Sequence, residues 1–269
     1  MKDFKIHRYE AKKRPRTYMS RALIKAKARA QKKCDPYYVV SLSDVHVPKH
    51  DTAAWAAVIS FIDEVKPAFI VYNGDFLEFE KLGRWEKDPT KRQTLQSDLD
   101  AAVEMLHAVK ALAPKAHHIW IDGNHEDRLR KFLWENPQLS DLRSLQMTEL
   151  LQLDKLGIDY LPYNHAALIG DCLFHHGFYT CQNAGLQYMR KLCPGYSSVS
   201  GHSHRLNCMP QNSLDRTTWG VEQGHMCDPS QMDYIKVAPN WQTGFAIAGM
   251  YDGQVIPRPV PIVGGVPLI

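Results

Sequence analysis

Residues 117–126, His-His-Ile-Trp-Ile-Asp-Gly-Asn-His-Glu, join an apolar run to a compact polar cluster. The run HHIWI is short and rich in β-branched and aromatic residues, which predicts a buried strand. In the cluster Gly123-Asn124-His125-Glu126, an amide, an imidazole and a carboxylate follow a glycine at consecutive positions. Residues 126–134 then show helical spacing. The stretch therefore predicts a strand, a loop of metal-ligating and proton-transferring groups, and a helix.

The same order of elements recurs before this stretch. Apolar runs at 37–41 and 68–72 predict two more buried strands, and helical spacing at 53–65 and 94–112 predicts the helices between them. A β-α-β-α-β alternation favours a parallel or mixed sheet with helices on its faces. Ligands gather beyond the carboxyl ends of strands in such sheets. We therefore expect a functional site in the loops that follow these strands.

The second half of the chain is predicted to be richer in β structure. Short strands are predicted at 158–163, 166–169, 172–175 and 197–200, and helices at 142–153 and 180–192. Residues 1–36 form a basic N-terminal arm, in which Ser20 can cap a helix through residues 21–33. Residues 37–269 form one predicted catalytic domain.

Four further polar clusters accompany the loop at 123–126. They are Asp44-Val45-His46, Gly74-Asp75, His175-His176-Gly177 and Gly201-His202-Ser203-His204. In extended backbone, Asp44 and His46 would project to the same side and could hold one metal ion together. Taken singly, an aspartate after a glycine more often caps a turn, and a histidine is more often an ordinary polar group. Five clusters in order, however, contain enough oxygen and imidazole ligands for two divalent cations on either side of a shared carboxylate. Only one of His175 and His176 can point into the site from an extended strand, and we select His176, which precedes the glycine.

In this order the clusters resemble the five motifs of the calcineurin-like metallophosphoesterase superfamily, D-x-H, G-D, G-N-H-[DE], H and G-H-x-H, which span residues 44–204 here. The compact core looks similar to phage and bacterial members. The resemblance implies an α/β fold, a four-layer α/β/β/α sandwich of two mixed sheets, with a dinuclear centre at its loop-rich edge. It implies that His125 contacts phosphate and assists the leaving oxygen. It implies two ligand sets that share a bridging Asp75: Asp44, His46, Asp75 and His204 for one metal, and Asp75, Asn124, His176 and His202 for the other.

The chemistry expected of such a centre is the hydrolysis of phosphate esters. A hydroxide that bridges two cations about 3.5–4 Å apart would form near neutral pH and attack phosphorus in line, without a covalent intermediate. We predict manganese as the working metal, and iron, zinc, nickel and magnesium also fit these donors. A nucleophilic cysteine is set aside, because no cysteine lies within a cluster or a Gly-rich phosphate cradle.

Substrate-binding residues are harder to select from sequence. His50, Glu78 and Arg128 follow the first three clusters and are candidates, although each can equally be a loop or helix-surface residue. The segments GHMCD at 224–228 and PNWQTGF at 239–245 are rich in His, Trp and Asn and could form a substrate wall. For Trp241 itself, a buried tryptophan that supports the sandwich is the favoured interpretation.

Charge is unevenly distributed along the chain. Residues 1–33 contain thirteen Lys and Arg but only two acidic residues, Asp3 and Glu10, whereas the rest of the chain has more acidic than basic residues. A basic arm favours binding to DNA or RNA through phosphate contacts that are independent of base sequence. The alternative is a solvated segment that aids solubility.

Together these features predict a dinuclear phosphodiesterase or nuclease that acts on nucleic acid. Two alternatives stay open. One is a phosphomonoesterase for phosphoprotein, nucleotide or sugar phosphate, which would share the metal site. The other is a non-catalytic nucleic-acid-binding or assembly module in which the arm is the functional part.

The remaining features concern location. No apolar run reaches the roughly 18 residues that can cross a bilayer, and the basic start lacks the apolar core of a signal peptide. We therefore expect no membrane partner and a cytoplasmic protein, in the host cytoplasm if a phage encodes it. The six cysteines show no C-x-x-C pair, which predicts reduced thiols.

Overall fold

The computed structural model describes residues 5–10, 20–25, 39–84, 92–232, 235, 237–251 and 254–269 of the 269-residue chain. In these residues two seven-stranded sheets form the centre of the fold. Parallel and antiparallel neighbours occur in both sheets, so both are mixed.

The first sheet carries the strands predicted before residue 126. Its strands β3 to β6 run parallel, because helical crossovers join the first three of them, and β12 to β14 add antiparallel strands at one side. In spatial order it contains β14 (Val266–Pro267), β13 (Gln254–Val263), β12 (Gly244–Tyr251), β3 (Val39–Leu42), β4 (Phe69–Asn73), β5 (His117–Ile121) and β6 (Ile158–Leu161).

The second sheet is built from the C-terminal half and from part of the basic arm. Strand β9 lies parallel to both of its neighbours, β8 and β11. In spatial order the sheet contains β10 (Leu206–Asn212), β11 (Thr217–Gln223), β9 (Ser197–Ser200), β8 (Cys172–His175), β7 (Ala167–Ile169), β1 (Lys5–Glu10) and β2 (Ser20–Lys25).

Helices cover the outer faces of the sheets. Helix α1 begins where the Asp51 side chain accepts hydrogen bonds from the backbone of Ala53 and Ala54, and α2 begins at a capping box of Thr94 and Ser97. The helices are α1 (Thr52–Val65), α2 (Leu95–Leu112), α3 (Asp127–Glu135), α4 (Met147–Leu150), α5 (Leu153–Leu156) and α6 (Ala184–Lys191), with 3-10 turns at Glu80–Leu82, Pro137–Leu139, Arg143–Leu145 and Pro229–Gln231.

Three apolar clusters separate the layers. One contains Val58 and Leu106 from α1 and α2 with Ile70 of the first sheet. A second joins the inner faces of the two sheets, and a third packs Tyr188 of α6 on the second sheet. Each sheet is thus apolar on both faces. The four-layer α/β/β/α sandwich of two mixed sheets is confirmed.

Local differences from the predicted elements have identifiable causes. The predicted helix at 142–153 is divided into a 3-10 turn, α4 and α5. Extended backbone at Gln146 separates the turn from α4, and Gln152, with a left-handed φ of 54°, separates α4 from α5. The predicted helix at 180–192 begins only after Asn183, whose φ is 59°.

The basic arm also differs from the predicted helix. Residues 20–25 form strand β2, which pairs with β1, and β1 meets β7 at Arg8 and Ala167. Backbone pairing has here overridden local helical spacing. Residues 26–38 lie outside the described residues, and the predicted boundary at residue 36 stays a prediction.

Two simpler expectations can be compared with the described residues. Cys172, Cys181, Cys193, Cys208 and Cys227 are free thiols. In this part of the chain, no helix combines the length and apolar character that a membrane crossing requires.

Leu106 provides a test of the core between α2 and the first sheet. Its side chain is fully buried, whereas Leu214 is fully exposed. Leu106→Ala removes packed methyl groups and should lower the free energy of unfolding by about 2–5 kcal/mol. The matched Leu214→Ala change should stay within about 0.5 kcal/mol. Urea unfolding of both variants measures the difference, and equal values would contradict this assignment of the core.

Candidate metal centre

The five polar clusters meet at one edge of the sandwich. Strands β3, β4 and β5 end just before the first three clusters, and β8 and β9 end at the last two. Backbone hydrogen bonds join the loops: the amides of Asp44 and His46 donate to the carbonyls of Gly74 and Asp75, both at 3.0 Å. The amide of Gly201 donates to the carbonyl of His176, at 3.0 Å. The predicted meeting of these loops at strand ends is therefore present.

Most of the predicted ligands lie on backbone that L-residues seldom adopt. Five have a φ between 50° and 67°: Asp44, His46, Asp75, His202 and His204. The sequence argument assumed extended backbone for Asp44 and His46, and that assumption was wrong, although their side chains do converge. Left-handed non-glycine residues are costly and persist only where surrounding contacts hold them, as at functional sites.

Asp44, His46 and His204 form the first ligand group. Asp44 Oδ1 lies 3.0 Å from His204 Nε2 and 3.9 Å from His46 Nε2. The two imidazole Nε2 atoms are 3.3 Å apart. His46 Nδ1 lies 2.7 Å from Glu78 Oε2 and donates its hydrogen there, so the Nε2 lone pair faces the other two ligands.

Asp75, His176 and His202 form the second ligand group. Their ligand atoms all lie within 4.8 Å of one another. His176 Nε2 is 3.2 Å from Asp75 Oδ2 and 3.0 Å from Asn124 Oδ1. His176 Nδ1 lies 3.1 Å from the carbonyl of Asn73 and donates to it, which leaves Nε2 as the ligand atom. The structure thus brings Asn124 to the same group, as the resemblance implied.

This donor set fits divalent cations. In each group, imidazole nitrogens and carboxylate or amide oxygens converge in a buried place, where the charge of the carboxylates favours a cation or a proton between the ligand atoms. The carboxylates also favour a proton at this place: burial opposes a charged imidazole, but Asp75 and Asp44 outweigh it and raise the pKa of His176 to about 9. Burial also opposes ionisation of Asp75, yet His176 and His125 hold its pKa well below the ordinary value.

Asp75 adjoins both groups. Its carboxylate belongs to the second group, and its backbone carbonyl accepts the amide hydrogen of His46 from the first. Its Oδ1 accepts the amide hydrogen of His125 at 2.8 Å, which fixes the carboxylate.

Comparison with known proteins shows the family of this chain. The sequence model of the calcineurin-like phosphoesterase family matches residues 37–206, more than half of the chain. The chain belongs to this family. It is 29% identical over 245 residues to the Gene 54 protein of Mycobacterium phage L5, covering 84% of this chain and 94% of that protein. The crystal structure of Chaetomium thermophilum Vps29 aligns with a TM-score of 0.41 and 11% identity, over 82% of this chain and 97% of that chain.

His125, from the third family motif, lies beside both ligand groups. Its Nε2 is 3.8 Å from Asp75 Oδ2, and its ring contacts His46 edge to face at 4.5 Å. Its Nδ1 lies 2.8 Å from the Glu78 carbonyl and 3.2 Å from Glu78 Oε2. Burial disfavours the charged imidazole, but Asp75 and Glu78 outweigh it and raise the His125 pKa above its ordinary value. The ring is therefore oriented and can carry a proton.

Two of the three substrate candidates contact His125. Arg128 Nη2 lies 3.0 Å from His125 Nε2, and its Nη1 donates to the Glu78 carbonyl at 2.7 Å. Glu78 is buried, and its carboxylate faces His46 and His125. Glu78 therefore lies where it orients both imidazoles, and its contact with substrate stays a prediction.

His50, the third candidate, lies elsewhere in the same region. Its backbone pairs with Cys227 in an isolated bridge. The Cys227 thiol is 3.2 Å from Nδ1 of His225. Burial lowers the pKa of His50, so its neutral form is favoured near pH 7.

Sequence reasoning missed the role of two aromatic rings at the first ligand group. His225 stacks on His204 with centroids 5.4 Å apart, and Trp241 packs on the same ring at 4.0 Å. Trp241 is half-buried, which corrects its favoured interpretation as a buried core residue. The unusual composition of 224–228 and 239–245 was the signal, but spacing alone could not direct either ring to His204.

Glu126, the acidic residue of the third motif, joins the loops that follow β4 and β5 through hydrogen bonds. Its Oε2 accepts the amides of Asp75 at 2.9 Å and Gly123 at 2.8 Å, and its Oε1 accepts the amide of Leu77 at 2.8 Å. Burial and the nearby Asp75 raise the Glu126 pKa to about 7.

The glycines of the family motifs allow close approach of these loops. A Cβ added at Gly123 would collide with the backbone nitrogen and Oδ1 of Asp75. A Cβ at Gly201 would collide with the Ser43 hydroxyl and meet Asp44 Oδ2 at 2.6 Å. Glycine is required here for lack of space rather than for its φ.

The variant Gly123→Ala tests this close approach. Because the new methyl group must displace Asp75, metal affinity should fall by at least about 10-fold, in the range seen when supporting contacts of metal ligands are lost. Gly157→Ala is the control, since its added Cβ meets nothing within 4 Å. Its φ of 63° should cost about 1–2 kcal/mol of stability but leave metal content unchanged. Metal titration of both folded variants gives the comparison, and normal affinity in Gly123→Ala would contradict the assignment.

Proposed function

We propose that this chain is a metal-dependent phosphodiesterase that hydrolyses DNA or RNA. The observation that carries the proposal is the pair of ligand groups around Asp75, in which carboxylate and imidazole ligand atoms face one another in a buried place. Membership of the calcineurin-like phosphoesterase family supports phosphoester hydrolysis in general. The complete ligand set disfavours a purely non-catalytic assembly module.

Asp44, His46 and His204 would hold one cation and Asn124, His176 and His202 the other, with Asp75 bridging them. Two divalent cations bound there would activate a water molecule and neutralise phosphoryl oxygens during in-line attack. Manganese is our proposed working metal, with iron, zinc, nickel and magnesium as alternatives for the same oxygen and imidazole donors.

His125 would act on the leaving group. As the new bond from water oxygen to phosphorus forms, the bond to the leaving oxygen breaks and that oxygen gains negative charge. His125 Nε2 accepts from Arg128 in this structure, so it must first exchange that hydrogen bond for a proton. Protonated His125 would then donate from Nε2 to the leaving oxygen, while Glu78 keeps Nδ1 fixed. Arg128, half-exposed and permanently charged, would contact a phosphate oxygen next to His125.

Nucleic acid is the substrate class that the charge distribution favours. Thirteen basic residues lie within residues 1–33, before a domain with an acidic excess. The arm would hold the phosphate backbone without reading base sequence. The phage origin of the similar Gene 54 protein supports action in the cytoplasm of a bacterial host.

The metal centre is tested with Asp75→Asn and with two aryl substrates. The amide can still accept the His125 backbone hydrogen, but it cannot offset the charge of two cations, so metal content and diester hydrolysis should both collapse. Asp215→Asn, at an exposed carboxylate, is the matched control and should behave as the native chain does.

Wild-type protein should cleave bis-p-nitrophenyl phosphate faster than p-nitrophenyl phosphate when loaded with manganese. The reverse preference would favour the phosphomonoesterase alternative. Full activity and metal content in Asp75→Asn would refute the two-metal assignment altogether.

The arm is tested by changing charge without cutting the chain, since part of the arm pairs with the second sheet. Replacing Lys12, Lys13, Arg14 and Arg16 with Gln should weaken oligonucleotide binding at low salt. It should also reduce the slope of log affinity against log salt by up to about 3–4, close to one unit per lost phosphate contact. Hydrolysis of bis-p-nitrophenyl phosphate should be unchanged. Identical salt slopes for the two proteins would remove the arm from nucleic-acid binding.

A further inference from the structure

Trp241 is one of two aromatic side chains from outside the five motifs that pack on the His204 imidazole. Its ring centroid lies 4.0 Å from that of His204 at an interplanar angle of 56°, and 5.6 Å from that of His225. The residue is only half-buried, and its ring lies against the first ligand group. A group bound at the metal centre would therefore lie close to this ring.

Backbone hydrogen bonds join the segment that carries Trp241 to His204 and to His225. The amide of Gln242 donates to the His204 carbonyl at 3.0 Å, and the Gln242 carbonyl accepts the amide of His225 at 3.2 Å. The Gln242 side chain also accepts the amide of Leu206 at 3.1 Å. The indole is therefore held in place before any substrate arrives, which lowers the entropic cost of using it as a binding surface.

Two roles are consistent with this position. Trp241 can simply support His204, or it can also form a wall for the substrate. Supporting His204 requires only that the indole be packed, whereas here the tryptophan is not fully buried and lies against a ligand of a site that fits a phosphate ester. Indole faces bind flat rings well, and base stacking on aromatic side chains tolerates any base.

We propose that Trp241 determines specificity by stacking on the planar base or aryl group attached to the phosphate at the metal centre. The inference rests on the proposed phosphodiesterase function and names the substrate feature that this site selects. Nucleotidyl and aryl esters would bind better than alkyl esters of the same charge. Because stacking uses the ring face and no hydrogen bonds, the site would not distinguish one base from another.

Binding measurements test the proposal without turnover. Manganese-loaded wild type, Trp241→Ala and Trp241→Phe are titrated with inorganic phosphate and with thymidine 5′-phosphate. Trp241→Ala should weaken the binding of thymidine 5′-phosphate on the order of 10-fold, within the range measured for single stacked bases. Its affinity for inorganic phosphate should change little. Trp241→Phe should retain most of the affinity. The control is Trp219→Ala, at another half-buried tryptophan, on β11, and it should leave both affinities unchanged.

Kinetics provide a second measurement with one leaving group held constant. For Trp241→Ala, kcat/KM should fall about 10-fold for thymidine 5′-(p-nitrophenyl phosphate) and much less for methyl p-nitrophenyl phosphate. The proposal would be overturned if Trp241→Ala lost the same factor in affinity for both ligands and in kcat/KM for both esters, with reduced metal content. Trp241 would then only support His204. If wild type cleaves no diester, the proposed function fails, and the ratio of the two affinities still decides whether Trp241 stacks.

Discussion

The geometry of this site depends on the hydrogen bonds that the Glu126 carboxylate accepts. This carboxylate accepts three backbone hydrogens, from Asp75, Leu77 and Gly123, and so joins the loops that follow β4 and β5. Each loop supplies a residue to the second ligand group, Asp75 from one and Asn124 from the other. Because Glu126 is buried beside Asp75, it is held in place at an electrostatic cost, which appears as a pKa raised to about 7. The charge of bound cations would lower that cost, so metal binding and loop packing should stabilise one another.

Backbone strain at the ligands follows from the same arrangement. Five predicted ligands hold a left-handed φ, and each is kept there by contacts across loops, such as the bond from the Asp44 amide to Gly74. Sequence alone could not give this result. The D-x-H pattern was interpreted as extended backbone, in which alternate side chains share a face. The glycines gave a partial signal, because Gly123 and Gly201 mark points where loops touch too closely for a side chain.

Elsewhere, sequence was informative wherever local periodicity and tertiary packing agreed. Strands β3 to β5 and helices α1 and α2 were predicted within a few residues, since buried strands and amphipathic helices leave clear patterns. The break at Gln152 and the strand pairing of residues 20–25 were missed, because tertiary contacts overrode helical spacing there. The two rings on His204 were missed for a different reason. They come from segments more than twenty residues beyond the last motif, and only the sheet topology brings them back.

Three of the four predicted ligand histidines are oriented by contacts of different kinds. His46 and His176 donate their Nδ1 hydrogens to Glu78 and to the Asn73 carbonyl, which fixes both the tautomer and the direction of Nε2. Among the described residues, His204 Nδ1 is buried without a hydrogen-bond partner. Its ring is held instead by the faces of His225 and Trp241. Ring packing restricts the plane of an imidazole but does not select its tautomer. His204 is thus the ligand most dependent on its aromatic neighbours. A substitution at Trp241 can therefore alter metal binding through His204. For this reason, substrate binding and metal binding must be measured separately in Trp241 variants.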